Sequence, residues 1–396
     1  MHGRREIRLP AHERNDIRPA RAGFLYLGEY GVDGGGAKRC DTIQSISTIT
    51  TKHEIPTPAL LVDLDRFECN LQRMASAAAA AGRKLRPHAK AHKCPDIAKR
   101  QLALGANGIC VATVAEAELM SRAGISDILL TSPLADPRKI ARLVATGAIA
   151  VVDHVRQVQM YQEAAFDANT PVALLIDLDT GDHRTGAPTL EQAVEIGLEI
   201  DRASHLWLRG VQAYSVVGSH TKDPEERRRI CAATFAFAAE VRAELARHGL
   251  HTDVATGGST CTWQEDLALP EVTEIQAGSY ALMDLAYARL GVDFEPAMTV
   301  LATVVSANHA EFVTVDAGFK AFATDRPFGP EPVALDATYR WGGDEFGYVD
   351  SPALKLGQRV EFAPPHCDPT VNLYDRIYAC RGAVVEEIWP VKSLSV

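Results

Sequence analysis

The sequence lacks the marks of several protein classes. No apolar run in its 396 residues approaches the ~20 needed to cross a bilayer, so a membrane is not an expected partner. Positive charge is not in excess: the formal net charge is −10. Proteins that grip nucleic acid through phosphates are usually basic, so nucleic acid is not expected either. The eight cysteines (Cys40, Cys69, Cys94, Cys110, Cys231, Cys261, Cys367 and Cys380) form no CxxC pair. Scattered in a long chain, they suggest reduced thiols and a cytoplasmic setting. What remains is ordinary for a soluble globular protein, with 46% hydrophobic and 23% charged residues.

The first stretch, "MHGRREIRLPAHERNDIRPARAG", is Arg-rich and has no apolar periodicity. It lacks the apolar core of a secretory signal, and its acidic residues weigh against a transit peptide. Residues 1–52 are expected to be a poorly ordered N-terminal tail.

From residue 58 the chain alternates between short β-rich runs and longer segments with helical spacing. The candidate strands are 84–90, 108–113, 127–132, 148–153, 172–179, 208–214, 251–258 and 274–280. Between them lie helical patterns with start and stop signals. Asp65 is a candidate N-cap, Pro137 follows Asp136 at a first helical position, and Gly82, Gly124 and Gly147 stand at helix ends. Eight strands separated by helix-length crossovers argue for a parallel sheet closed into a (β/α)8 barrel, with a doubly wound sheet as the competitor. After residue ~296 the pattern becomes β-rich with Gly and Pro turns. The expected architecture is an α/β chain, with a barrel over residues 53–295 and a mostly antiparallel β-domain over 296–396.

In a barrel, chemistry sits at the C-terminal strand ends. Those ends carry Lys90, Thr113, Ser132, Asp153, the 179–186 turn, Tyr214, the 256–260 turn and Gly278–Tyr280. Lys90 stands in "LRPHAKAHKCP" between His88 and His92, with Lys93 just beyond. A lysine among other cations loses its proton more easily, and a neutral amine can form a Schiff base with an aldehyde. His88 is expected on the same strand face, two residues back. Lys93 is the rival nucleophile. "TGGST" supplies Thr256, Gly257, Gly258, Ser259 and Thr260, and "AGSY" supplies Gly278, Ser279 and Tyr280. Glycines let backbone N–H groups approach an anion, and hydroxyls add donors, so these turns form a candidate phosphate cup. A lysine at the first strand and a phosphate cup at the last two would be neighbours in a closed barrel, a combination that suits pyridoxal phosphate. In "PPHCDPTVNLYD", an extended 366–368 would project His366 and Asp368 to one face. That is half of a metal site, suited to Mn²⁺, Mg²⁺ or Ca²⁺ with Zn²⁺ also open, or else a hydrogen-bonded turn pair.

"RPHAKAHKCP", "DLDTGDHRTG", "GVQAYSVVGSH", "TGGST", "IQAGSYALMD" and "HCDPTVNLYD", in this order, closely resemble the D-threonine aldolase and D-serine dehydratase family. These are fold-type III pyridoxal phosphate enzymes related to alanine racemase. The resemblance runs from about residue 55 to 392. It implies a barrel with a C-terminal β-domain, usually as a homodimer. It implies a Schiff base on Lys90 and phosphate binding by the turns at 256–260 and 278–280. It implies Arg184 beside the cofactor ring, Tyr214 and His220 facing substrate, and His366 with Asp368 as the metal pair. Dehydratases of the family commonly carry cysteine where Asp368 stands. The chain departs from its relatives at Phe346, where they often have histidine, and in the apolar "SVVGS" before His220. The expected activity is metal-assisted retro-aldol cleavage of a small D-β-hydroxy-α-amino acid, D-threonine or 3-hydroxy-D-aspartate. The alternatives are dehydration of D-serine or D-hydroxyaspartate, and a non-catalytic pyridoxal phosphate carrier.

Overall fold

The computed structural model describes residues 49–391. Of the expected tail, residues 1–48 lie outside the described residues, and 49–52 are not loose. Thr51 bridges Val384, Lys52 N–H donates to the Ala383 carbonyl and Val385 N–H donates to that of Thr50.

Strand β1 (Ala59–Asp63) comes first, followed by β2 (Lys84–Leu85), β3 (Ile109–Val111), β4 (Ile128–Leu130), β5 (Ile149–Val152), β6 (Val172–Leu178), β7 (Leu206–Ala213), β8 (Val254–Gly257) and β9 (Glu274–Ile275). Strands β2 to β9 are the eight expected strands, most of them shorter than their sequence runs. They form one parallel sheet in the order β2-β9-β8-β7-β6-β5-β4-β3. A parallel bridge between His88 and Cys110, with Cys110 N–H donating to the Pro87 carbonyl, closes the ring. β5 and β6 are buried along their whole length, which is why they read as apolar runs, interrupted only at Asp177. The crossovers are helices, most with side-chain caps, among them Leu64–Ala80 after β1 and Pro137–Val144 after β4. Asp136 caps the latter as expected, whereas Asp63, not Asp65, caps the former. Each such cap is worth about 1 kcal/mol.

Alternation along the strands stacks the barrel interior in layers. Near the N-terminal end, the buried Arg86 guanidinium pairs with Glu274 (2.7 Å) and Asp127 (3.2 Å). Above it lies an apolar cluster of Cys110, Leu129, Ile149, Val151, Ala173, Leu175 and Val254. Two residues further on, the interior turns polar. Gln212 Nε2 donates to Asp177 Oδ1 and to the Thr131 carbonyl, and Gln276 Nε2 donates to Gln212 Oε1 and Thr256 Oγ1. This polar layer is the floor of the site.

The second sheet adds β10 (Met298–Ser306), β11 (Val313–Val315), β12 (Glu331–Pro332), β13 (Tyr339–Trp341), β14 (Gly347–Val349), β15 (Arg359–Ala363), β16 (Arg376–Arg381) and β17 (Val384–Pro390). Its main path is β13-β14-β11-β10-β1-β16-β17, with β15 pairing β10 and β12. All pairs are antiparallel except β1 with β16. Strand β1 thus belongs to this sheet, although the sequence division assigns residues 53–63 to the barrel. The sheet takes chain from both sides of the barrel and ties the two together. No helix among the described residues is long and apolar enough to cross a membrane. The seven described cysteines are free thiols, and Cys40 lies outside the described residues.

Candidate active site

A cavity of about 370 Å³ opens at the C-terminal mouth of the barrel. His88, Lys90, Thr131, Arg184, Gln212 and Tyr214 line it, and the turns after β8 and β9 form another wall. Lys90 does not extend β2 as expected. It sits in a 3₁₀ turn, Ala89–Ala91, whose N-cap is His88. The β2–β9 pairing continues through Arg86 and His88 N–H donating to the Ile275 and Ala277 carbonyls, which brings the Lys90 turn beside Gly278.

The expected crowd of cations around Lys90 is absent. His88 receives the Lys90 N–H at Nδ1 (3.4 Å) and meets Thr131 Oγ1 at 3.0 Å. Thr131 Oγ1 donates onward to the Val111 carbonyl, so His88 Nε2 carries the hydrogen and the ring is neutral. Burial, with Lys90 and His92 nearby, holds the His88 imidazole well below its ordinary value. Burial lowers His92 to about 4, so it too is uncharged near neutral pH. Lys93 turns away to Glu116 at 3.4 Å and does not line the cavity. The charged group facing the Lys90 amine is a carboxylate, Asp368 Oδ2, at 3.9 Å.

The candidate phosphate cup divides. Gly258, Ser259, Thr260, Gly278 and Ser279 line the cavity. The N–H groups of Gly258, Thr260, Gly278 and Ser279 have no protein acceptor among the described residues. Gly258 has φ +78°, which lets the turn fold back on itself. Unpaired N–H groups converging on a cavity are what an anion requires, so these residues fit a cofactor phosphate. Thr256, Gly257 and Tyr280 do not line the cavity. Thr256 is buried inside the barrel, where its hydroxyl accepts from Gln276. Gly257 lies within β8. The Tyr280 ring is in the core beside Phe294, its hydroxyl accepts from Gln101 and its N–H donates to Thr260 Oγ1.

Arg184 reaches the cavity from the 179–186 turn and stacks on the Tyr214 ring at 5.2 Å. It has no carboxylate partner among the described residues. His220 is exposed and does not line the cavity: it ends the short helix Val216–His220 and its Nδ1 bonds to the Val216 carbonyl. Its Nε2 is left without a protein partner among the described residues.

Residues 366–368 are not extended. His366 is the N-cap of a helical turn, Cys367–Val371. Asp284 docks that turn onto the barrel by accepting from the N–H groups of Cys367 (2.7 Å) and Tyr287 (2.9 Å). This clamp brings Asp368 to Lys90. Ser279 Oγ donates to Asp368 Oδ1 (3.2 Å), linking the carboxylate to the phosphate wall. Burial works to raise the Asp368 carboxyl, but Lys90 and His366 outweigh it and hold the group below its ordinary value. His366 Nδ1 lies 2.7 Å from Asp325 Oδ2. Among the described residues no group of three or more His, Cys, Asp or Glu side chains could hold a metal. Two oxygen and nitrogen donors still suit a hard cation that keeps several waters. The carboxylate on His366 Nδ1 leaves Nε2 as the ligating atom.

The alanine racemase N-terminal domain model matches residues 62–286, and the putative serine dehydratase domain model matches 297–380. D-threonine aldolase of Arthrobacter sp is 36% identical over 86% of this chain and 93% of that protein. 3-Hydroxy-D-aspartate aldolase of Paracoccus denitrificans is 34% identical over 86% of this chain and 92% of that protein. The crystal structure of D-threonine aldolase from Filomicrobium marinum superposes with a TM-score of 0.84 at 36% identity, covering 87% of this chain and 96% of that one. The chain belongs to the D-threonine aldolase and D-serine dehydratase family. By that kinship it is an enzyme, a carbon–carbon lyase.

Sequence reasoning missed Thr131, Gln212, Gln276 and Tyr287, which line the cavity, and Asp325. Thr131 follows from counting two residues along β4 from Leu129 of the apolar layer; Gln212 and Gln276 have no such marker in their own strands. Tyr287 lies in the short helix Leu285–Arg289 and Asp325 in an irregular segment, and nothing local marked them.

Proposed function

We propose that this lyase cleaves a small D-β-hydroxy-α-amino acid, D-threonine or 3-hydroxy-D-aspartate, to glycine and an aldehyde, with pyridoxal phosphate and a divalent cation. The observation that carries the reading is the meeting of three groups from distant parts of the chain: the Lys90 amine, the unpaired N–H groups of the 258–260 and 278–279 turns, and Asp368 at 3.9 Å from that amine.

When bound, pyridoxal phosphate supplies an aldehyde for covalent attachment and a sink for the electron pair released from the Cα–Cβ bond. Lys90 is the amine placed to hold it, and the two turns are the anchor for its phosphate. Neutral His88 keeps positive charge off the flank of Lys90 and fixes the Lys90 turn through the backbone. Arg184, exposed and stacked on Tyr214, is the cation available to an anionic oxygen of cofactor or substrate. His366 and Asp368 would hold Mn²⁺ or Mg²⁺, which supplies Lewis acidity to a hydroxyl. Cleavage breaks Cα–Cβ, turns the β-hydroxyl carbon into a carbonyl and leaves glycine once Cα regains a proton. The resemblance supports a homodimer, and the free described thiols support a reducing, cytoplasmic compartment.

Protein loaded with pyridoxal phosphate and Mn²⁺ is expected to release acetaldehyde from D-threonine or glyoxylate from 3-hydroxy-D-aspartate, and to slow on chelation. Ammonia with a keto acid, and no aldehyde, would identify a dehydratase instead.

A further inference from the structure

Two neighbouring residues approach the same edge of the His366 ring and ask for opposite tautomers. Asp325 Oδ2 lies 2.7 Å from Nδ1. Arg326 Nη2 lies 3.4 Å from the same nitrogen. A carboxylate only accepts, so Asp325 requires Nδ1–H and leaves a lone pair on Nε2. A guanidinium only donates, so Arg326 requires a bare Nδ1 and puts the hydrogen on Nε2, where it blocks metal binding. The Asp325 contact is much the shorter, in the range of a charge-assisted hydrogen bond, and it wins. Asp325 Oδ2 also stands 3.5 Å from Arg326 Nε, an atom that is buried without a hydrogen-bond partner. The one carboxylate therefore orients the imidazole and holds its competitor.

We propose that Asp325 is a positioning residue that fixes the metal-binding tautomer of His366 against Arg326. The inference rests on His366 being a metal ligand, as in the function proposed above, and goes beyond it by assigning the balance between residues 325 and 326.

The test is Mn²⁺ binding to the pyridoxal phosphate-loaded protein, followed by the Mn²⁺ electron paramagnetic resonance signal rather than by turnover. Asp325→Ala is expected to weaken Mn²⁺ binding about 10–100-fold, the usual cost of losing such a partner. Arg326→Ala added to Asp325→Ala is expected to regain about fivefold or more, because the competing donor is gone. A merely structural role for Asp325 predicts no recovery. Asp325→Asn, which keeps an accepting oxygen and disturbs packing least, is expected to fall between wild type and alanine. Affinity within about threefold of wild type for Asp325→Ala, or no recovery in the double variant, overturns the proposal. Wild-type Mn²⁺ binding that survives His366→Ala overturns the metal reading itself, and this inference with it.

Discussion

Around Lys90, the groups fitted to hold a cofactor are largely main-chain: the N–H groups of Gly258, Thr260, Gly278 and Ser279, and a 3₁₀ turn registered by hydrogen bonds to β9. Around His366 they are side chains from three separate turns: Asp368, Asp325 and, through its clamp, Asp284. The first half is set by strand register, so it cannot shift without moving the barrel. The second half is set by side-chain contacts on a short helical turn, so single substitutions can retune it while the barrel stays intact. Cofactor attachment and metal response should therefore be separable.

His366→Ala probes the separation most strongly. Activity on the D-amino acid should fall on the order of 100-fold and lose its response to added metal. Cofactor attachment, read by borohydride reduction, should be unchanged. Loss of attachment in this variant would mean that the halves are not independent.

Gly278→Ala is the complementary break. A Cβ there would stand 2.5 Å from the His88 carbonyl oxygen and 2.9 Å from its Cβ, and the oxygen is backbone with nowhere to go. Overpacking of this kind costs about 1–3 kcal/mol. A pyridoxal phosphate titration should show about 10–100-fold weaker loading, with Mn²⁺ affinity little altered.

A third effect, on stability and not on loading or turnover, concerns the polar floor of the cavity. Burial raises the Asp177 carboxyl to about 6, although Gln212 and Thr185 hydrogen bonds work against it. In the unfolded chain the group titrates near 3.9. Between those values the native state holds a proton that the unfolded state has lost, so this group's contribution to stability falls as pH rises from about 4 to about 6 and is fully lost above. The loss is about 2–3 kcal/mol. Asp177→Asn should remove that slope in urea denaturation at pH 4.5 and 7.5, and an unchanged slope would mean the carboxyl titrates normally.

Much of the barrel was legible because both faces of its strands are buried, which writes each strand as a short apolar run between helix caps. Lys90 and the Gly/Ser turns were legible because strand ends and glycines carry local signals. Non-local pairing was not. Strand β1 joins β10 and β16 across more than 200 residues, and no local pattern announces that. The same blindness hid the partner of Lys93, Glu116, on the next helix but one, and Asp325, which meets His366 from 41 residues away. Thr256 and Tyr280 stand off the cavity for a different reason: Thr256 still lies within β8, and the Tyr280 ring turns into the core. His220 was carried by resemblance alone, and its Nδ1 meets the Val216 carbonyl of its own helix.

The central claim is that Lys90 is the amine that carries the cofactor. Borohydride reduction of the loaded protein, followed by proteolysis and peptide mapping, should place the pyridoxyl label on Lys90 and leave Lys93 bare. A label on Lys93 or on any other lysine, or no label at all, would contradict it.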